Sequence, residues 1–368
     1  MNKLTRWVPA LAAPVVIIGA AITIPAVASA QGPLPSKTAE QVLALVAKSD
    51  TAAYSGTVQQ SSDLGLPDLS ALEQQSGSAG ASTDSLVDLL TASHTAKVYT
   101  DGGTKQRLQV LDSLAERDVV RDGNAVWLYD SAEKAATHVT LSGTGTDAKA
   151  SAPAVTPAQA AAQLVGELQP STDFAVATNE RIAGQPTYRL TLTPKTSNTL
   201  VSTVAIAVDA NTGVPLDVSV YAKGQAKPAA TIEFSSIHYG TPAASDFAFT
   251  PPAGTKVETQ ALGGVKHPGA EPPADRAKPT VVGSGWDAIV KLPSVGLDST
   301  LPSSGSSSST GGSSSTSTGT DASTLLNLLQ PVSGGRGLQT SLISVLITND
   351  GRVLAGAVPL STLENAAQ

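Results

Sequence analysis

The chain is 368 residues long, carries 23 Lys and Arg against 30 Asp and Glu for a formal charge of −7, and contains no cysteine. An acidic balance with no basic cluster excludes a function built on neutralising nucleic-acid phosphates. The absence of thiols excludes a disulfide framework and a thiolate metal site, and leaves no cysteine near the N-terminus to take a lipid.

The N-terminus opens with Lys3 and Arg6, continues through an apolar run from Trp7 to Val27, and ends on Ala28-Ser29-Ala30. These are the charged, apolar and small-residue parts of a secretory signal over residues 1–30, with cleavage after Ala30. The alternative is an uncleaved anchor, because the run approaches the roughly 20 residues that span a bilayer. Pro9, Pro14 and Pro25 and the small-residue exit favour removal. Export places the mature chain in the extracytoplasmic envelope or outside the cell.

Thr38-Ala39-Glu40-Gln41 supplies an N-cap for a helix reaching Asp50, with Val42, Leu45 and Val46 on one stripe. A strand follows at Tyr54-Ser55-Gly56-Thr57-Val58. Ser61 to Thr83 is rich in Ser, Gly and Leu, and a short helix is expected at Asp84 to His94; together they make a candidate flap. Strands are expected at Ala96–Thr100, Gln106–Leu111, Ala115–Arg121, Ala125–Asp130 and Ala135–Leu141, joined by turns such as Asp101-Gly102-Gly103 and Asp122-Gly123-Asn124. This is an antiparallel meander. A third helix starts at Thr156-Pro157, where proline suits the first turn, and ends near Leu168 before Pro170. Its apolar side is mostly alanine and fills little volume.

From Gly184 to Val257 the period of two is strongest. Apolar residues alternate in Tyr188-Arg189-Leu190-Thr191-Leu192, in Leu216-Asp217-Val218-Ser219-Val220 and in Thr231-Ile232-Glu233-Phe234. One face is wet and one dry. Asp209-Ala210-Asn211-Thr212-Gly213 reads as a turn, and Pro251-Pro252 with Gly254 as the end of the sheet. Ten to eleven strands against three short helices make a thin cover. Either the sheet curls onto itself around a filled interior, or a cavity lies between sheet and helices.

Residues 261–285 form a Pro/Gly-rich linker, and about 302–320 is Ser/Gly/Thr low complexity. Trp286 to Leu292 reads as a strand and Ala322 to Gln330 as a short helix. Leu342–Ile347 and Arg352–Val358 form a hairpin around Asn349-Asp350-Gly351. Residues 286–368 thus form a small αβ appendage to the main domain, 31–260.

Chemistry is sparse. His94, His138, His238 and His267 have no metal-ligand spacing. The serines form no nucleophile elbow and the glycines no phosphate loop. Glu116 and Asp118 share one strand face with Arg117 between them, which reads more simply as a solvated face than as an acid–base pair. No enzyme activity and no cofactor is expected.

The order of Tyr54-Ser55-Gly56-Thr57-Val58, QRLQVLD around Arg107, AERDVVRDGNAVWLYD from Ala115, VDANTGVPL from Val208 and FAFTPPAG from Phe247 resembles the LolA/RseB-like lipoprotein-carrier superfamily in its actinobacterial form. The resemblance covers Ser36 to Val257. It implies an α+β fold, an incomplete antiparallel β-barrel (a LolA-like half-barrel) covered by short helices, with a cavity for acyl chains. Residues on the dry side of the strands then become candidate ligand-binding wall: Val58, Leu108, Val110, Val126, Leu128, Leu190, Leu192, Val204, Ile206, Val218, Val220 and Phe234. Plain core packing is the competing role for each. With aromatics at 4% the wall is aliphatic and suits alkyl chains. Arg107, Trp127 and Tyr129 fall on the other face or the rim. The function expected is a secreted, non-catalytic carrier of lipid or lipoprotein acyl chains, peripheral to the membrane, with an ABC-type export complex as the donor that the resemblance implies. The alternative is an RseB-like regulatory module that binds a membrane-bound anti-sigma factor.

Overall fold

A computed structural model describes residues 34–65, 93–111, 115–141, 157–262, 279–293 and 329–368. The signal at 1–30, most of the flap, the helix expected at 84–94 up to residue 92, and the loop at 302–320 lie outside the described residues.

Helix α1 (Ala39–Lys48) begins on a capping box: the Thr38 hydroxyl accepts from the Gln41 amide, and the Gln41 side chain accepts from the Thr38 amide. Its buried residues are Ala39 and Val42. A 3-10 turn at Ser49–Thr51 leads into β1 (Tyr54–Ser62). The meander follows as β2 (His94–Thr100), β3 (Lys105–Leu111), β4 (Glu116–Asp122), β5 (Ala125–Asp130) and β6 (Ala135–Leu141). Turn chemistry fixes its registers. Asp101 Oδ1 accepts from the amides of Gly103 and Lys105 at 2.8 and 2.9 Å. Gly123 takes a φ of 62° in the β4–β5 turn.

Helix α2 (Pro157–Leu168) separates this half from β7 (Thr172–Ile182), β8 (Gln185–Pro194), β9 (Val201–Asp209), β10 (Pro215–Ala222) and β11 (Ala230–Tyr239). The β9–β10 turn is an Asx turn in which Asp209 Oδ1 accepts from the amides of Asn211 and Thr212. A last strand, β12 (Lys256–Leu262), completes one twelve-stranded sheet in the order β12-β6-β5-β4-β3-β2-β1-β11-β10-β9-β8-β7. The order leaves β12 and β7 as edges, so the sheet stays open. The α+β half-barrel with short helical cover is the fold of this domain.

One pairing departs from the expected antiparallel meander: β12 lies parallel to β6, with Lys256 opposite Ala135 and Leu262 opposite Leu141. Pro251-Pro252 does not end the sheet. The two prolines sit in the connection, and the chain re-enters at the far edge, where only one side of the strand needs hydrogen-bond partners.

A second sheet has the order β13-β14-β18-β17-β16-β15, built from β13 (Thr280–Val282), β14 (Ile289–Leu292), β15 (Gln330–Val332), β16 (Gly335–Gln339), β17 (Ser344–Thr348) and β18 (Val353–Gly356). Helix α3 (Leu360–Ala367) closes one face over a core of Ile289, Leu346, Leu354, Val358 and Leu363. The expected hairpin is β17–β18, with Gly351 at a φ of 82° in its turn. Trp286, expected in a strand, sits in a 3-10 turn (Gly285–Asp287) just before β14. Gln330, expected to end a helix, starts β15, and residues 322–328 lie outside the described residues.

Candidate functional site

Cross-strand register decides which side chains share a face. Leu128, Val119, Leu108 and Val98 lie opposite one another in turn along β5, β4, β3 and β2, and Val98 lies opposite Gly56 of β1. In the next row Val110, Ala96, Val58 and Phe234 run from β3 to β11. Beyond it Ile232, Val218, Ile206 and Leu190 run from β11 to β8, followed by Ala230, Val220, Val204 and Leu192. Val126 sits two residues before Leu128 on β5. Since residues two apart share a face, all twelve residues expected to form the wall point to one side of the sheet. The bulge between Thr57 and Val58 keeps this face continuous by absorbing one residue of β11.

Cover over this face is uneven. Helix α1 crosses β7, β8 and β9 and packs on α2, the Tyr188 hydroxyl donates to the Pro35 carbonyl at 2.9 Å, and Leu190 is fully buried. Phe234 is buried with its ring over Gly56, where a Cβ would meet it, and against the edge of Tyr54. Val204 and Val220 pack against a buried cluster that includes Leu342, as do Trp286 and Ala357, all three from connections of the second sheet. Val58, Val110, Val126, Leu192, Ile206 and Val218 are half-buried. In contrast Leu108, Val119, Leu128 and Ile232 are 41%, 41%, 43% and 54% exposed. Four large aliphatic side chains therefore stand open on one dry face, with Leu164 of α2 also exposed.

The opposite face is polar. Arg107 donates to Asp118 at 2.6 Å and, through Nη1, to the carbonyl of Asp246 at 3.3 Å. Gln109 donates to Glu116. Burial raises the Asp118 carboxyl above its ordinary value, while the Arg107 guanidinium acts in the opposite direction. Further along the sheet Arg189 pairs with Glu180 and, at 3.3 Å, with Asp217. Arg107, Glu116, Asp118, Tyr129 and Phe249 line a cleft of about 450 Å³ on this face. Trp127 stacks on His138 at 4.4 Å and meets Phe249 at 5.5 Å. Asp118 and Glu116 are thus engaged by Arg107 and Gln109, an ion-pair network that pins residues 246–249 to the sheet. Among the described residues no group of three or more His, Cys, Asp or Glu is placed to hold a metal, and no helix is long and apolar enough to cross a membrane.

Residues 84–253 match the family model of the MucB/RseB N-terminal domain. Over this segment, somewhat less than half of the chain, the protein is similar to the MucB/RseB family. The matched segment runs through β2 to β11 and so contains most of the open apolar face. No curated protein sequence matches the chain. Among solved structures it is similar to the MucA/MucB complex of Pseudomonas aeruginosa, at 18% identity over 89% of this chain and 96% of that one, with a TM-score of 0.43. It is also similar to LprF from Mycobacterium bovis (13% identity, 60% of this chain and 98% of that one, TM-score 0.27). A third likeness is to the LolA superfamily protein NE2245 from Nitrosomonas europaea (13% identity, 58% and 99%, TM-score 0.23).

Sequence reasoning left Val119, Ile232 and Leu164 out of the wall. Ile232 was legible, since it alternates with Phe234. Val119 was masked by Val120, which points to the other face and is buried there; two adjacent valines give no sign of which belongs to the open apolar face.

Proposed function

We propose that the protein is a non-catalytic envelope carrier that takes up lipid or lipoprotein acyl chains on the open aliphatic face. The observation that carries this reading is the alignment of Leu108, Val119 and Leu128 in one cross-strand row, each two-fifths exposed. A contiguous exposed apolar patch on a folded domain marks a binding surface, whereas the opposite face carries the Arg107–Asp118 and Arg189–Glu180 ion pairs. Each methylene buried contributes about 0.8 kcal/mol, so alkyl chains bind without a directed polar contact. In this reading the half-buried Val58, Val110, Val126, Ile206 and Val218 form the floor, and the donor is an ABC-type membrane complex. The buried Leu190 and Phe234 and the half-buried Leu192, Val204 and Val220 support that floor from the packed part of the same face.

Leu108→Asp and Leu128→Asp test it, because both side chains are exposed enough for the fold to tolerate the change. Native mass spectrometry after incubation with diacyl-lipid vesicles is expected to show bound lipid for the wild type and loss of it in both variants. Equal lipid loading in all three would overturn the reading.

The match to the MucB/RseB N-terminal domain favours a second reading, a regulatory module that binds the extracytoplasmic segment of a membrane-anchored anti-sigma factor. MucB itself has been crystallised in complex with MucA(peri). Capture of such a segment by a protein that takes up no lipid would favour regulation over carriage.

A further inference from the structure

We infer that Trp286 and Leu342, contributed by the second sheet, form the end wall that sets how long an acyl chain the open face accepts; this rests on the acyl-binding reading above. Leu342 lies in one buried cluster with Val201, Ala222 and Ala229, and Val204, Val220, Ala230 and Trp286 pack against that cluster. Ala230 and Val220 lie opposite each other on the dry face. Two residues further along β11 on the same face, Ile232 is 54% exposed. The face therefore passes from capped to open within about 7 Å, the rise of two strand residues.

The wall is anchored on three sides. Trp286 Nε1 donates to the hydroxyl of the fully buried Thr172 at 2.7 Å. The Ala357 carbonyl accepts from the Thr199 hydroxyl at 2.7 Å and from the Leu200 amide at 2.8 Å. The Ser341 amide donates to the Leu64 carbonyl at 2.9 Å. A stop tied to the segment that follows β1, to the β8–β9 connection and to β7 is held in place against one more methylene. Chains that end before the wall gain roughly fourfold in affinity per added methylene, and chains that reach it gain nothing further.

The test uses the full chain and a homologous series of saturated fatty acids from dodecanoate to docosanoate, with affinities read by competition in native mass spectrometry. The wild type is expected to show affinity rising with length and then a plateau. Leu342→Ala is expected to move the plateau about three methylenes longer, the three carbons it removes, and Trp286→Ala, which removes a whole indole ring, to move it further. Ile343→Ala, at an exposed neighbour outside the cluster, leaves the plateau in place. Ala230→Leu advances the wall and shortens the plateau, which keeps the test open if a truncated side chain loosens the second sheet. Folding of each variant is verified by circular dichroism. An unchanged plateau in folded Leu342→Ala and Ala230→Leu overturns the inference, as does affinity that rises through the whole series. Absence of any fatty-acid binding by the wild type instead overturns the acyl-binding reading and takes the inference with it.

Discussion

Arg107 and Asp118 meet diagonally across the β3–β4 pair, Nη2 to Oδ2 at 2.6 Å, although Arg107 stands opposite Val120 and Asp118 opposite Gln109. Asp118 is almost wholly buried and Glu116 stands 4.0 Å from the same guanidinium, so one cation serves two carboxylates. Arg107→Ala leaves Asp118 buried without its cation and is expected to cost about 3–5 kcal/mol at neutral pH. The sign with pH follows from the raised Asp118 carboxyl: the folded chain holds that proton to higher pH than the unfolded chain does. Stability from this group is present below the unfolded value and is lost as pH rises through the folded one. Removing Arg107 raises the folded value further, so the deficit of Arg107→Ala against wild type is expected to shrink on acidification. Urea unfolding of both proteins at pH 4 and pH 7 measures it; a deficit independent of pH would show that lost packing dominates.

Gly213 holds helix α1 against the sheet. Its φ is 79°, and a Cβ there would strike the backbone carbonyl of Leu45 in α1. Gly184 has nearly the same φ of 78° with open space around it. Gly184→Ala therefore bears only the left-handed strain, about 1–2 kcal/mol. Gly213→Ala bears that strain and displaces the helix, and is expected to be the more destabilising of the two by at least about 1 kcal/mol. Chemical denaturation of the pair separates backbone strain from helix displacement.

Leu190 and Leu108 lie on the same face and were equivalent in the sequence, but the structure separates them. Leu190 is fully buried on a strand crossed by α1, whereas Leu108 is open. Leu190→Ala is expected to lose about 2–5 kcal/mol of stability, and Leu108→Ala less than about 1 kcal/mol. Thermal melts check the stabilities. Lipid loading should follow the opposite order among folded variants, falling for Leu108→Ala.

The contrast shows what the sequence carries. Strand boundaries in the meander and the shared face of the twelve wall residues were readable, because a period of two and the turns around Gly102, Gly123 and Gly213 are local. Which of those residues stays open was not, because cover comes from distant chain: α1 over Tyr188, and Trp286 with Leu342 over Val204 and Val220. Strand β12 escaped for the same reason. Its partner β6 lies more than a hundred residues earlier, and a parallel pairing leaves no hairpin signal. Arg107 and Asp118 were each noticed, but their meeting depends on the β3–β4 register rather than on spacing.

The second sheet also shares a core with the first, and truncation tests how much each depends on the other. A chain ending at Leu262 keeps β12 intact but exposes Val201, Ala222 and Ala229, which are nearly inaccessible in the whole protein. It also leaves the buried Thr172 hydroxyl without the Trp286 indole N–H. Losing an aromatic and an aliphatic side chain from a buried cluster corresponds to about 3–5 kcal/mol, which for a domain of this size lowers the Tm by about 10 °C. The whole chain is expected to melt in a single calorimetric transition and the truncated one at the lower temperature, with increased aggregation from the uncovered end of the face. Two separate transitions in the whole chain, with the upper or lower one unchanged on truncation, would instead show that the sheets fold independently and that the contact of Leu342 with Val201 contributes little to either.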